Sequence, residues 1–564
     1  MKKHLRAFTL GIGILFSLQS GYAQKISKDL VNSDPLSNVR VIIQWKTPLN
    51  PTKSQKVLSK GGVLHADHPS IKASTYTLPA SALSDLANDS DVYFISPDRT
   101  IKPKLDYTAA AVNAQYAWSL GFNGKGIGVA VIDSGMNSSP DLTLNNDVVY
   151  NQDFTGEITP NANVANTNNA PDLYGHGQHV AGIIASSGKT SSCGNCTRLL
   201  KGIASGVNLV NLRVLDATGA GTDSMVIAAI EEAIDLKSTY NIRVINLSLG
   251  RPVYESYTLD PLCQAVEQAW KAGIVVVVAA GNDGRDNSFG TLGYGTIDAP
   301  GNDPYVITVG AMKTEGTYTR TDDLIASYSS KGPTQIDHIV KPDIVAPGNQ
   351  VVSLYAGKNA TLIADYPAND VPVDYYKGNS DPHASNAYFM LSGTSMATPV
   401  VSGGVADLLQ AEPSLTPDQV KGLIMSTAYK NFPASSSVTD PVSGLTYVSY
   451  YDIFTVGAGY LDLQAALQST SVPPTGLSAV SPTAICNSAS GAVTLSLGTS
   501  SIEADQTIWG NQTIWGNQTI WGNQTIWGNQ TIWGNQTIWG NQSVWATSST
   551  EAAETVTIAI QGEP

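Results

Sequence analysis

Three short stretches of this sequence carry residue types whose combination does acyl-transfer chemistry. The first, V-A-V-I-D-S-G, puts Asp133 at the end of an apolar run, with Gly135 turning the chain away. A carboxylate at the carboxyl end of a parallel strand is where such folds place functional groups, although an Asp there also serves to cap the next helix. The second, G-H-G-Q-H-V-A-G-I-I-A, flanks His176 with Gly175 and Gly177 and leads into a helix of small and apolar residues. Glycines beside an imidazole allow close approach by backbone and substrate. His179, three residues on, reads as an interior histidine, since no acidic residue completes an H-E-x-x-H metal pattern. The third, S-G-T-S-M-A-T-P-V-V-S-G-G-V-A, starts a small-residue helix at Ser395. A serine hydroxyl attacks only when a base takes its proton, and a helix N-terminus favours developing negative charge. Alone, Ser395 or Thr394 would read as a helix cap.

Taken together, a carboxylate that orients an imidazole, an imidazole that accepts a proton and a serine that attacks make an acyl-transfer triad, in chain order Asp133, His176, Ser395. That order and these flanking motifs resemble the subtilisin-like serine proteases over about Tyr107 to Leu467. The resemblance implies a secreted endopeptidase working through an acyl-enzyme, with no cofactor or catalytic metal needed. It implies that Asn282, in A-A-G-N, donates to the oxyanion, with the Ser395 amide as second donor. It also implies that Gly219, Ala220 and Gly221, and Ser248, Leu249 and Gly250 of L-S-L-G, pair as cleft edges with an extended polypeptide substrate. Ala280 and Gly281 count among the substrate contacts by the same resemblance, and sequence preference is then broad, set mainly by the pocket near Gly250, Gly281 and the Ala299 to Gly301 turn. Departures exist too. Gln178 stands where the family has Thr, and the loop Ser186 to Leu200 replaces a region that in many relatives binds calcium. Asp141 matches a family calcium ligand, so structural calcium stays open without its partner loop. The stretch Asn349 to Leu391 reads as an insertion of surface loops near the serine.

The elements that must position these residues alternate along the chain. Apolar runs at Gly126 to Ile132, Asn208 to Leu215, Val244 to Leu249 and Ile274 to Ala279 are separated by helical patterns such as Asp223 to Leu236 and Pro261 to Ala272. This predicts an α/β domain over 107–468, a parallel sheet with helices on both faces. Before it, 24–106 suits a small α+β unit, with strands around Val41 to Trp45 and Val92 to Ile95 and a helix at Ala80 to Leu86. By the same resemblance this segment is a propeptide, the enzyme's own folding partner, with self-cleavage between about Ile101 and Ala111.

The ends of the chain read differently. Lys2, Lys3 and Arg6 precede an apolar run from Ala7 to Leu18, and Gly21 and Ala23 supply small residues, so 1–23 reads as a signal peptide cut after Ala23. A bilayer needs about 20 apolar residues and this run has 12, so no membrane span is expected. Ser, Thr and Pro open a linker and tail at 469–505; a Q-T-I-W-G-N hexapeptide then repeats over 506–545, ahead of a short end at 546–564. The repeat reads as stacked short strands or as an unstructured tail, and it supports an alternative reading, an adhesive surface protein whose exposed Trp and Ile make the contacts.

Composition agrees with export. Of 564 residues 42% are hydrophobic and only 14% charged, and the net charge of -14 opposes nucleic acid as a partner. Segment 24–106 runs against this trend, with 11 basic residues to 8 acidic, and would complement an acidic body. Four cysteines do not make a disulfide scaffold; Cys193 and Cys196 in C-G-N-C read as an oxidised loop staple, while the pairing of Cys263 and Cys486 stays open.

Overall fold

The computed structural model describes residues 25–27, 30, 37–98, 107–143, 147–157, 169–288, 290–378, 381–441, 443–487, 492–497 and 562–563. The expected signal peptide and the hexapeptide repeat lie outside them, as does the first part of the expected cleavage window. The chain divides into two compact units between Lys102 and Pro103.

The first unit is an antiparallel sheet of β1 (Asn38–Trp45), β2 (Val63–His68), β3 (Ala73–Pro79) and β4 (Val92–Pro97), in the order β2-β3-β1-β4. Helices α1 (Pro51–Leu58) and α2 (Leu83–Asn88) complete the α+β arrangement. In β1 the residues alternate, with Val41, Ile43 and Trp45 buried beside Tyr76, Leu78, Val92 and Ile95, the period-two pattern of a sheet with one apolar face. Helix α1 starts where Asn50 accepts from the Lys53 amide at 3.1 Å and Pro51 takes the first turn.

The second unit is built on an eight-stranded sheet. Its strands are β5 (Gly128–Asp133), β6 (Val148–Asp153), β7 (Asn208–Arg213), β8 (Ile242–Leu247), β9 (Val275–Ala279), β10 (Ile307–Lys313), β11 (Leu324–Ile325) and β12 (Ile344–Pro347). The order is β11-β10-β9-β8-β5-β7-β6, with β12 also on β10, and all pairs are parallel except β10 with β11. Every residue of β5 and β9 is buried, which is why these strands read as unbroken apolar runs rather than alternating ones.

Helices α3 (Gly177–Ala185), α4 (Asp223–Asp235), α5 (Pro261–Lys271) and α6 (Thr394–Ala411) cover the sheet. Helix α6 lies against β8, β9 and β10 and is buried over nearly its whole circumference. Its small residues explain how: a Cβ on Gly403 would fall 2.7 Å from Ile203 Cβ, and one on Gly404 2.7 Å from Leu463.

Two sequence expectations are corrected here. The stretch Asn349 to Leu391 is not a set of surface loops. It folds into β13 (Val351–Leu354), β14 (Asp370–Pro372) and β15 (Ala384–Leu391), a sheet in the order β13-β15-β14. Tyr388 and Phe389 are buried there, and apolar side chains at those positions drive the segment inward. Nor is the Ser/Thr/Pro segment after Ser469 a free linker. Gln419 donates to the Pro473 carbonyl at 2.8 Å, the Ala479 amide to Asp418 at 2.8 Å, and the Ser481 hydroxyl to Asp343 at 2.6 Å. Beyond it Thr483–Asn487 and Ala492–Ser496 form an antiparallel hairpin.

The end of the chain also returns to this unit. Glu563, 1% exposed, forms an ion pair with Arg285 Nη2 at 3.1 Å and accepts from the Ser327 amide at 2.7 Å. Its main chain is clasped by Asn349, whose Oδ1 accepts from the Glu563 amide at 2.8 Å and whose Nδ2 donates to its carbonyl at 3.0 Å.

Candidate active site

Asp133 is the last residue of β5 and is 1% exposed. Its Oδ1 accepts from the Ser134 amide at 2.7 Å and faces His176 Nδ1 at 2.8 Å. That contact fixes the tautomer: Nδ1 carries the proton toward the carboxylate, and Nε2 is left as an acceptor. The approach depends on glycines. Gly135 has φ 115°, and a Cβ there would fall 2.5 Å from the Pro171 carbonyl oxygen; a Cβ on Gly177 would fall 2.4 Å from the Gly135 carbonyl oxygen.

Burial disfavours the charged imidazole of His176. The charge and hydrogen bond of Asp133, helped by Asp172, outweigh that and raise its pKa above the ordinary 6.5.

Asp172 is a residue the sequence reading passed over. Its Oδ1 accepts from Ser134 Oγ at 2.8 Å and from the amides of Tyr174 and Gly175 at 3.1 and 2.7 Å, while Oδ2 accepts from the Gln178 amide at 2.8 Å. Ser134 Oγ in turn accepts from the Gly177 amide at 2.8 Å. This buried carboxylate therefore ties the loop before His176 to the end of β5. The signal was present as D-x-x-G, an Asp able to bond amides two and three residues on.

Ser395 is the second residue of α6. Neither it nor Thr394 caps the helix: Gly393 occupies the cap position and makes no side-chain cap bond. The Ser395 hydroxyl donates to the Ser248 carbonyl at 3.2 Å, and Ser248 Oγ donates to the Ser395 carbonyl at 2.8 Å. The sheet brings this pair to the Asp133 side, because β5 and β8 are neighbours with Val131 opposite Asn246, and two residues further on each chain are Asp133 and Ser248. No hydrogen bond joins Ser395 to His176 among the described residues.

Asn282 follows β9, the next strand over. Its Oδ1 accepts from the Thr394 amide at 2.9 Å and from Thr394 Oγ1 at 3.2 Å, and this turns the amide so that Nδ2 is free to donate. Both amide atoms lie within 3.6 Å of where a Gly393 Cβ would stand, and the Ser395 amide is 3.7 Å from the same point. Two N–H donors thus flank the space over Gly393.

The residues expected at the cleft edges lie in two segments. Ser248 to Gly250 follow β8, and Gly219 to Gly221 lie in the loop between β7 and α4. The main chain of Leu249 and Gly250 makes no hydrogen bond to other described residues. Ala280 and Gly281 form the opposite wall; the Ala280 amide donates to Val309, and Gly281 is held by Thr394 Oγ1 at 3.2 Å.

His179 is an interior residue. Its Nε2 faces the carbonyls of Val351 and Phe389, each at 3.0 Å, so it carries the proton and shares it. Burial and the neighbouring His176 push its pKa down to about 3, which keeps it neutral. Asp141 does not fit a calcium ligand here. One oxygen accepts from the amide and hydroxyl of Thr190 at 2.7 and 2.8 Å, and the other from Tyr388 OH at 2.8 Å, so protein donors face the carboxylate where a cation would need to sit. Cys193 and Cys196 form a disulfide, and Cys263 is a buried thiol.

A model of the subtilase family matches residues 124–446. The chain belongs to the subtilase family. Serine protease AprX of Bacillus subtilis is 38% identical over 353 residues, spanning 61% of this chain and 70% of that protein. Subtilisin E of Bacillus subtilis is 29% identical over 474 residues, 82% of this chain and all of the relative. An extracellular serine proteinase of Thermus sp. is 30% identical over 367 residues, covering 63% and 70%. This subtilase is accordingly a subtilisin-like serine endopeptidase, and its substrates are polypeptides.

Proposed function

We propose that this enzyme cuts extended polypeptides through Ser395, with His176 as base and acid, Asp133 as its orienting carboxylate, and Asn282 with the Ser395 amide as oxyanion donors. The observation that carries the reading is the 2.8 Å contact between Asp133 Oδ1 and His176 Nδ1, on the strand next to the one whose end holds the Ser395 hydroxyl.

Substrate adds as a strand to the free edge at Leu249 and Gly250, which brings its scissile carbonyl over Gly393. The Ser395 hydroxyl swings from the Ser248 carbonyl to Nε2 of His176, gives up its proton there, and bonds to the carbonyl carbon. The carbonyl oxygen becomes an anion held by Asn282 Nδ2 and the Ser395 N–H. Asp133 stabilises the imidazolium that results. When the C–N bond breaks, His176 returns the proton to the leaving amine. Water then repeats the sequence on the acyl-enzyme and frees Ser395. No metal or cofactor is needed for these steps.

We infer further that the enzyme is secreted and made as a precursor. Supporting this are the basic, apolar and small-residue pattern of 1–23 and the similarity to an extracellular relative. No helix among the described residues is long and apolar enough to cross a membrane. The boundary between the two compact units falls inside the expected self-cleavage window, which favours 24–106 as a propeptide.

A serine-directed fluorophosphonate tests the assignment. The reagent should attach to Ser395 and abolish casein hydrolysis; labelling of a different serine, or hydrolysis that survives full labelling, overturns it.

A further inference from the structure

We propose that Asp298 makes this enzyme select substrates with lysine or arginine at the residue whose carbonyl is attacked. The inference rests on the assignment of Ser395 and Asn282 above, and it replaces the broad preference implied by main-chain pairing alone.

The geometry starts from the two walls of the cleft. Ser248 to Gly250 leave β8, and Ala280 to Asn282 leave β9, so the two walls are chain segments continuing from adjacent parallel strands. The segment from Asp298 to Gly301 bridges them. The Asp298 amide donates to the Ala280 carbonyl at 3.0 Å on one wall, and Ala299 exchanges hydrogen bonds of 2.7 and 2.9 Å with Arg251 on the other. Asp298 therefore closes the slot between the walls.

Its carboxyl group points at both glycines. A Cβ on Gly281 would fall 2.7 Å from Asp298 Oδ2, and one on Gly250 would fall 3.4 Å from the same oxygen. Any side chain at either position would collide with the carboxyl or fill the slot. Asn282, which ends the Gly281 wall, faces the oxyanion. A substrate residue carries its side chain on the carbon next to its carbonyl, so the residue attacked by Ser395 sends its side chain into this slot.

The slot holds two carboxyl groups and no hydrogen-bonded counter-charge. Neither the Asp298 carboxyl nor that of neighbouring Asp283 has a hydrogen-bond or ion-pair partner among the described residues, and both residues keep some exposure. The cation nearest in sequence on the facing wall, Arg251, is already committed. Its Nε lies 3.0 Å from both oxygens of Asp223, and its Nη2 lies 2.9 Å from both oxygens of Asp260. Burial, and then the charge of Asp283, push the Asp298 carboxyl well above its usual range, with Arg251 opposing. An ammonium or guanidinium entering the slot supplies the missing counter-charge; an apolar side chain leaves two carboxyls crowded and dry.

The test compares peptide amides that differ only in Arg, Lys, Leu or Glu at the attacked residue, on mature enzyme whose active sites are counted with the fluorophosphonate. Arg and Lys should exceed Leu in kcat/KM by about tenfold or more, with Glu lowest. In Asp298→Asn the Arg-to-Leu ratio should collapse toward one, and Asp298→Glu should keep a cationic preference. A ratio taken within one variant is independent of how much of it folds. A wild-type ratio near one, or a ratio unmoved by Asp298→Asn, overturns the pocket assignment while Ser395 still labels. Failure of Ser395 to label, with no peptide cut, instead overturns the catalytic reading on which it stands.

Discussion

The Ser395 hydroxyl donates to the Ser248 carbonyl at 3.2 Å, just past the end of the strand beside the one that ends in Asp133. The proton that must reach His176 is thus held by a main-chain acceptor until substrate arrives. In the proposed mechanism the hydroxyl turns to His176 on substrate binding, as catalytic hydrogen bonds commonly tighten only in the substrate complex. Ser395→Ala removes the hydroxyl and nothing else. It should abolish casein hydrolysis and leave an uncut precursor, whereas the wild type should start between Ile101 and Ala111. That window holds Lys102 and Lys104, either of which would present a cation to Asp298. N-terminal sequencing of the two secreted proteins checks both points, and active material starting near Gln24 would end the propeptide assignment.

Asn282→Ala should separate binding from turnover. Nδ2 has work only when the carbonyl oxygen becomes an anion, so kcat should fall by about 100- to 1000-fold while KM changes little, a range carried over from subtilisin itself. The loss of Oδ1 also frees the Thr394 amide, which it accepts at 2.9 Å. Asn282→Asp keeps that acceptor but puts a carboxylate oxygen where the donor was, and should be at least as slow. Steady-state kinetics on both variants check this; a rise in KM at constant kcat would assign Asn282 to ground-state binding.

Glu563 offers a test of stability far from the chemistry in sequence. It is buried against Arg285 at 3.1 Å, with Lys313 at 3.5 Å from its other oxygen. Glu563→Ala would take one carboxylate from the Arg285 charge, which also pairs with Asp440 at 2.9 Å. Breaking a buried pair this way should cost about 3 kcal/mol, read by urea unfolding in the Ser395→Ala background so that self-digestion does not interfere. An unchanged midpoint would mean that the last residues do not hold this position in solution.

The sequence exposed those parts of the site that local pattern dictates. Asp133 stood out because a charge ended a run of residues buried on both faces, and His176 and Ser395 because glycines that only close packing requires lay beside them. The sheet was readable for the same reason, since two-sided burial leaves unbroken apolar runs. What stayed hidden depends on partners distant in sequence. Asp298 acquires its meaning from Gly250 and Gly281, which belong to two other strand ends, and Glu563 from Asn349, which is 214 positions away. The Asn349 to Leu391 segment looked like loops because two of its three strands are only three and four residues long and the pairing is irregular, with a register shift between Asp370 and Pro372.

Asp172 joins the site to its pH dependence. His176 must be neutral at Nε2 to accept the proton of Ser395, and its pKa is raised, so activity is lost as pH falls through a midpoint above 6.5. Asp172 contributes to that rise through its charge. Asp172→Asn should therefore move the acid limb of kcat/KM toward lower pH. It should also weaken the loop, because an amide NH2 would replace either Oδ1, which accepts from Ser134 Oγ and the amides of Tyr174 and Gly175, or Oδ2, which accepts from the Gln178 amide. A donor turned toward a donor costs about 1–3 kcal/mol. The two effects separate cleanly: loss of folded enzyme lowers the whole profile without moving it, while loss of the charge shifts the midpoint. A profile that drops but keeps its midpoint would reduce Asp172 to a structural tie.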